Sequence, residues 1–217
     1  MTSKPSVLVI AKAPFPGRSK TRLTPPLRRC EAALLAEAAL ADTLDAVARV
    51  PAPRRTLVLD GAAGPWLPVG FEVVPQRAGG LDERIAGAFA DAGAPALLIG
   101  MDTPQVTPAF LGRCLHRLTL SDVDAVLGPA NDGGYWALGL KRADIRTTLG
   151  VPMSSEDTFD QQMRRLGALG LRTALLPPLC DVDTIDDARA VAAAAPWSRF
   201  ARTLHGLQAT GGQAQIA

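Results

Sequence analysis

Short apolar runs with no polar residue between them, each followed by a helical pattern, constrain this chain most. "SVLVIA" at 6–11, "RTLVLD" at 55–60 and "PALLIGMD" at 95–102 hold three to five consecutive apolar residues each and do not alternate. Such runs form strands buried on both faces, and a strand covered on both sides belongs to a sheet between helical layers. Between them lie Ala-, Leu- and Glu-rich segments with helical spacing, first "RRCEAALLAEAALADTLDAVARV" at 28–50, stopped by Pro51 and Pro53.

The alternation continues down the chain. "FEVVPQ" is a third, shorter strand, and "LDERIAGAFADAG" a helix with Gly93 as its C-terminal cap. "TPAFLGRCLHRL" is a helix with Thr107 placed to cap it and Pro108 in its first turn. "DAVLGPA" is a fifth strand, and "YWALGL" returns as another after a Gly-Gly turn. "SSEDTFDQQMRRLGALG" is a helix ended by Gly170, "RTALLPPLCDVDT" holds a last short strand and "TIDDARAVAAAA" a last helix. The pattern predicts one α/β domain over 1–206 with a mainly parallel sheet, and a disordered tail over 207–217.

Composition narrows the function. A net charge of +2 on 217 residues is too small for wholesale nucleic-acid binding, and six Phe, three Trp and one Tyr make a poor stacking platform. No apolar run approaches the ~20 residues of a membrane span. Cys30, Cys114 and Cys180 are far apart and lack metal-ligand spacing, so reduced thiols in a cytoplasmic protein are expected.

In open α/β sheets ligands sit beyond the carboxyl ends of the strands. After the first strand comes "AKAPFPGRSKTRL", which carries Lys12, Gly17, Arg18, Lys20 and Arg22. Gly17 permits close backbone approach, Arg18 and Arg22 can fork onto phosphate oxygens, and Lys20 supplies a mobile charge. Neither the P-loop nor the GxGxxG pattern is present. The alternative is a solvated cationic loop.

Carboxylates follow three other strands. Asp102 stands where "ALLIG" meets water, and can either bind a divalent cation or begin a turn that caps the next helix. Asp181 and Asp183 in "DVDT" point to one face if extended and can share a cation with Asp102; alternatively Asp183 or Thr184 caps the helix that follows. In "NDGGYW", Asp132 can bind metal or a sugar hydroxyl and Gly133 and Gly134 can turn amides toward a ligand, or the segment is only a hairpin turn. Cations after one strand and carboxylates after three suit a polyphosphate site with Mg²⁺ or Mn²⁺.

Read together, "AKAPFPGRSKTRL", "GMDTP", "GPANDGGYWALGL" and "DVDT" resemble the DUF2064 family, also called the radical-SAM/selenodomain-associated transferase 1 family. That family lies in the glycosyltransferase-A-like, nucleotide-diphospho-sugar transferase superfamily, and the resemblance runs from Val7 to Ala195. It implies a three-layer α/β/α sandwich with a mixed, mostly parallel sheet. By resemblance, Lys12, Gly17, Arg18, Lys20 and Arg22 form the phosphate-binding loop and Asp102 binds metal, with Asp181 or Asp183 as second ligand. Gln76 and Arg84 fall near the nucleotide half.

Two activities follow as expectations. The first is nucleotidyl transfer from an NTP to a phosphorylated acceptor with release of pyrophosphate, with Lys20, Arg22 and Asp102 as catalytic groups. The second is glycosyl transfer from an NDP-sugar; a non-catalytic nucleotide-binding protein is a third expectation. Asp102 is followed by Thr103 and Pro104 rather than completing an Asp-x-Asp, and the basic loop and "DVDT" look closer to the nucleotidyltransferases. The acceptor is expected against Asp132, Gly133, Gly134, Tyr135, Trp136 and Ser155, with neither nucleic acid nor membrane as partner.

Overall fold

The computed structural model describes residues 4–213. A seven-stranded sheet in the order β3-β2-β1-β4-β6-β5-β7 forms the middle layer. Its strands are β1 (Ser6–Lys12), β2 (Arg55–Asp60), β3 (Glu72–Pro75), β4 (Ala96–Ile99), β5 (Ala125–Pro129), β6 (Tyr135–Leu140) and β7 (Thr173–Leu175). The helices are α1 (Arg29–Ala48), α2 (Leu81–Ala92), α3 (Pro108–Thr119), α4 (Thr158–Ala168), α5 (Ile185–Ala194) and α6 (Arg199–Gln213).

The uninterrupted apolar strands behave as their composition requires. Successive side chains leave β1 on opposite faces. Val7 and Val9 join Leu40, Leu44 and Val47 of α1 and Leu111, Cys114 and Leu118 of α3 in one core. Leu8 joins Ile85 and Phe89 of α2 and Leu166 of α4 in another. All three β1 side chains have no exposed surface. The mixed, mostly parallel three-layer sandwich expected from the sequence is the observed fold.

β1 runs parallel to β2 and β4, whereas β6 lies antiparallel between β4 and β5. This reversal matters for position. It brings the first residue of β6, Tyr135, opposite Pro129 and beside the carboxyl end of β4, where Ile99 pairs with Ala137. The 130–134 turn therefore stands at the same sheet edge as the loops after β1, β4 and β7. Gly128 lets Trp136 lie flat on β5, since a Cβ there would fall 2.4 Å from the indole nitrogen.

Two helices differ from the sequence reading. α4 begins at Thr158, because Ser154 is left-handed and Ser155 turns its hydroxyl onto Asp157 at 2.7 Å. Residues 207–213, read from sequence as part of the tail, continue α6; residues 214–217 lie outside the described residues. The signal was a 3.6-residue face: Phe200 and Leu204 are buried against Leu35 of α1 and Val191 of α5, and Ser198 Oγ accepts from the amide of Ala201 at 3.0 Å to start the helix.

The three cysteines are free, and burial pushes the Cys114 thiol up to about 11. Among the described residues no helix is long and apolar enough to cross a membrane.

At the far edge, the Arg172 guanidinium pairs with both oxygens of Asp124, at 2.7 and 3.0 Å, and ties the start of β7 to that of β5. Hydrogen bonding from Arg172 holds the Asp124 carboxyl down at about 2. A depressed carboxylate stabilises the fold above its ordinary pKa and loses that contribution as pH falls through the native value. Asp124→Asn should therefore lower Tm at pH 7, and thermal melts should show the gap to wild type closing between about pH 4 and pH 2.

Candidate active site

The loop after β1 folds back on itself before it reaches the cavity. The amides of Arg18 and Ser19 bond to the carbonyl of Phe15 at 3.0 and 3.1 Å, and Ser19 Oγ accepts from the Phe15 amide at 3.2 Å. Gly17 takes a φ of +78° at the tip. Lys20 follows in the left-handed conformation, φ 51° and ψ 43°, and caps a short 3₁₀ turn at Thr21–Leu23. A lysine gains nothing locally from this backbone, and non-glycine residues held there cluster at functional sites.

What holds Lys20 is its far end. Its Nζ lies 2.8 Å from Asp102 Oδ2 and 3.8 Å from Asp183 Oδ1, and it donates to the Val182 carbonyl. The side chain is only 8% exposed. Arg22 Nη1 takes the other oxygen of Asp183 at 2.8 Å. The loops after β1, β4 and β7 thus meet through two cations and two carboxylates.

The capping alternatives resolve locally. Thr107 caps α3, accepting from the amide of Phe110 at 3.2 Å, so Asp102 is not its cap. Thr184 caps α5, accepting from the amide of Asp187 at 3.2 Å while Asp187 Oδ2 receives the Thr184 amide at 2.7 Å. Asp183 is thereby left for the site. Asp181 lies deeper: burial, reinforced by the Asp102 and Asp132 carboxylates and opposed by Lys20, pushes its carboxyl up to about 7.

Two cavities share the Asp102–Asp183 wall. One, of about 250 Å³, is lined by Lys12, Arg18, Lys20 and Arg22. The other, of about 280 Å³, adds Asp132 and Asp181 to the shared pair, has Leu81, Ile85 and Met153 on its apolar side, and includes no Lys or Arg. The expected basic-loop and acidic residues therefore converge. Gln76 and Arg84 line neither cavity. Gln76 Nε2 donates to the carbonyls of Ala11 and Val58 at 2.8 and 3.2 Å, and Arg84 Nη1 bonds to Gln76 Oε1 at 3.1 Å, so the pair braces the strand ends.

The residues expected at the acceptor divide by use. Gly134, Tyr135, Trp136 and Ser155 line the second cavity with Asp132. Trp136 is a core residue, 2% exposed, with its indole N–H donated to the Pro177 carbonyl at 3.1 Å. Asp132 Oδ1 accepts from the amide of Gly134 at 2.9 Å, an Asx-type turn. Ser155 opens the turn into α4. Sequence reasoning missed Leu81 and Ile85, and it missed Gln105, whose Nε2 donates to the Cys180 carbonyl at 2.7 Å and joins the loops after β4 and β7. None of these residue types signals a site by itself.

The donor chemistry fits a hard divalent cation. Carboxylate oxygens suit Mg²⁺ and Mn²⁺, and Mg²⁺ commonly takes one or two of them plus substrate phosphates. Among the described residues, Asp102 Oδ1 is buried without a hydrogen-bond partner. Among the described residues no three Asp, Glu, His or Cys form a ready ligand set, so the expected trio Asp102, Asp181 and Asp183 is not assembled as one. Lys20 lies between the facing oxygens of Asp102 and Asp183.

Residues 34–155 match the family described as "Uncharacterized protein conserved in bacteria (DUF2064)". The chain belongs to that DUF2064 family. No curated protein matches it. Among solved structures it is similar to a protein of Desulfovibrio desulfuricans G20 provisionally named a nucleotide-diphospho-sugar transferase, at 26% identity and TM-score 0.83, covering 97% of this chain and 96% of that one. A nucleotidyl transferase from Methanothermobacter shares the fold at 16% identity and TM-score 0.57, over 93% of this chain and 100% of that one. CMP-2-keto-3-deoxy-manno-octonic acid synthetase, complexed with CTP, shares it at 12% identity and TM-score 0.57, over 90% and 99%. This DUF2064 protein has the fold of the nucleotide-dependent transferases.

Gly133 sets the geometry of the second cavity's rim. It has a φ of +86°, and a Cβ there would lie 2.0 Å from the Glu156 carbonyl oxygen. Its own carbonyl receives the amide of Phe159 at 2.9 Å. Gly133→Ala should therefore cost on the order of 1–3 kcal/mol in urea unfolding, the range for forced overpacking.

Proposed function

We propose that this protein is a divalent-metal-dependent transferase that holds a nucleotide donor by its phosphates and passes part of it to a small acceptor. One observation carries the reading: a cationic cavity and an acidic one share the Asp102–Asp183 wall, and Lys20 reaches across it. Phosphates suit the first cavity, where Arg18 and Arg22 offer forked donors and Lys12 and Lys20 point charges. Relatives of the fold that use nucleotides, one of them complexed with CTP, support a nucleotide as the ligand.

Asp102 would hold Mg²⁺ or Mn²⁺, with Asp181 or Asp183 as second ligand. Bound there, the ion would supply Lewis-acid polarisation of the phosphate under attack. The chain's own contribution is electrostatic. Lys20 and Arg22, held at the shared wall by Asp102 and Asp183 before substrate enters, neutralise charge as it develops on the leaving group. Gln105 and the loop around Ser19 keep the two walls in register.

Nucleotidyl transfer from an NTP, with pyrophosphate leaving into the basic cavity, uses all four cations, and a phosphorylated acceptor would need no general base. A second reading, glycosyl transfer from an NDP-sugar, is favoured by the second cavity. No Lys or Arg lines it, which suits a hydroxyl-bearing acceptor, and Asp132 stands there with one carboxylate oxygen engaged by Gly134. A hydroxyl acceptor needs such a base within hydrogen-bond reach.

A thermal-shift screen of NTPs and NDP-sugars with Mg²⁺ or Mn²⁺ should identify the donor by a rise in Tm. Product analysis then separates the readings: pyrophosphate release for nucleotidyl transfer, NDP release for glycosyl transfer. Lys20→Ala and Arg22→Ala should each lower turnover about 10²-fold, the scale of a lost charge-stabilising donor. Unchanged turnover in both variants with every donor tested would sink the proposal.

A further inference from the structure

The reading above places a metal ion on Asp102, and Lys20 stands in its way. The ammonium lies 2.8 Å from Asp102 Oδ2 and 3.8 Å from Asp183 Oδ1, and donates to the carbonyl of the residue between Asp181 and Asp183. A divalent ion bound to an Asp102 oxygen sits about 2.0–2.2 Å from it. It would then share the space between the two carboxylates with a full positive charge that is almost shut off from water. Two cations that close, in a site only 8% open at the lysine, repel strongly.

We propose that Lys20 is a resident counter-ion of the acidic cluster, and that its ammonium is exchanged for the divalent ion only when phosphates draw it away. Metal then settles together with the nucleotide or after it, and not before. The inference rests on the transferase reading proposed above.

Three features make the exchange workable. Lys20 lines the cationic cavity as well as touching the acidic wall, so phosphates entering beside Lys12, Arg18 and Arg22 meet the ammonium without crossing a barrier. The Lys20 backbone is fixed, since its carbonyl accepts from the Leu23 amide at 3.0 Å and begins the 3₁₀ turn. The swap is thus a rotation about the four-carbon stem, with no movement of the loop. Finally, Asp102 Oδ1 is buried and has no partner among the described residues, an acceptor that Lys20 does not use and that a cation would. With Lys20 in place the cluster is tolerated without metal, because one ammonium offsets repulsion that reaches Asp181 from Asp102, Asp132 and Asp183.

The test is Mn²⁺ binding to the full chain without nucleotide, followed by the EPR signal of free Mn²⁺. Lys20→Met should bind Mn²⁺ at least about tenfold more tightly than wild type, the effect of removing a nearby like charge. Lys20→Arg, which keeps the charge, should behave as wild type. Lys12→Met removes a cation from the same cavity, where Asp102 pairs with Lys20, and should gain much less. Adding Asp102→Asn to Lys20→Met should abolish the gain. Should Lys20→Met melt early, Lys20→Gln keeps a donor for the Val182 carbonyl and makes the same comparison. Equal affinity in wild type and the neutral variants, or an equal gain in Lys12→Met, overturns the proposal.

A second arm uses thermal melting of wild type with MnCl₂, inorganic pyrophosphate, or both. Stabilisation is expected from pyrophosphate alone and more from the pair, and little from MnCl₂ alone; a rise of several degrees with MnCl₂ alone is the contrary result. The two claims fail separately. If pyrophosphate and all nucleotides leave Tm unmoved, the transferase reading falls, whereas the Lys20 comparison with Mn²⁺ alone judges only the exchange.

Discussion

The ammonium of Lys20, held between Asp102 and Asp183, is the interaction on which the site depends. It joins three stretches of chain that are remote in sequence, the loops after β1, β4 and β7. A charge with so little exposure is tolerated only when carboxylates and a carbonyl replace its water, and Asp102, Asp183 and Val182 do so. The reverse holds too. Several carboxylates at one sheet edge would repel one another without a cation, and the lifted Asp181 carboxyl records how much repulsion and burial remain even with Lys20 present.

Around this pair the backbone is laced tightly. The Lys12 amide approaches Met101 Sδ at 3.3 Å, joining the ends of β1 and β4. Asn131 donates to the Leu179 carbonyl at 3.2 Å and Leu179 donates to the Pro129 carbonyl at 3.1 Å, fastening the β5–β6 turn to the segment leading to Asp181. Among the described residues, the two non-glycine residues with positive φ, Lys20 and Ser154, both border the cavities. Backbone strain is found where the surrounding structure over-determines it, and here that structure is the site itself.

The fold was legible because its signals are local. Val7 to Ile10 and Ala96 to Ile99 are apolar without alternation, and Thr107, Gly93 and Gly170 are cap residues in cap positions. α6 was missed because its pattern follows Pro196 and runs into Gly211 and Gly212, weak helix formers whose cost is offset upstream by Phe200 and Leu204 in the core. At the site, charge was legible and partnership was not. Cations after β1 and acids after β4 and β7 can be read in order along the chain, but that Lys20 rather than Arg18 reaches Asp102 depends on a left-handed backbone no spacing encodes. Gln76 and Arg84 show the same limit: their polar groups bond to each other and to strand ends brought together only in the folded sheet.

A nearly neutral chain has thus separated its charge locally into two compartments that share a wall. On the proposed transferase reading, this separation would orient a donor: its phosphates would lie on the side of Arg18 and Arg22, and whatever they carry would project past Asp102 toward Asp132 and the apolar wall of Leu81, Ile85 and Met153. A substrate placed the other way would set phosphate against carboxylates in a cavity lined by no Lys or Arg, where low dielectric magnifies the repulsion. On that reading, direction would be set by what the acidic compartment rejects as much as by what the basic loop attracts. Lys20 stands on the boundary, lining the basic compartment and reaching the carboxylates of the wall it shares with the acidic one.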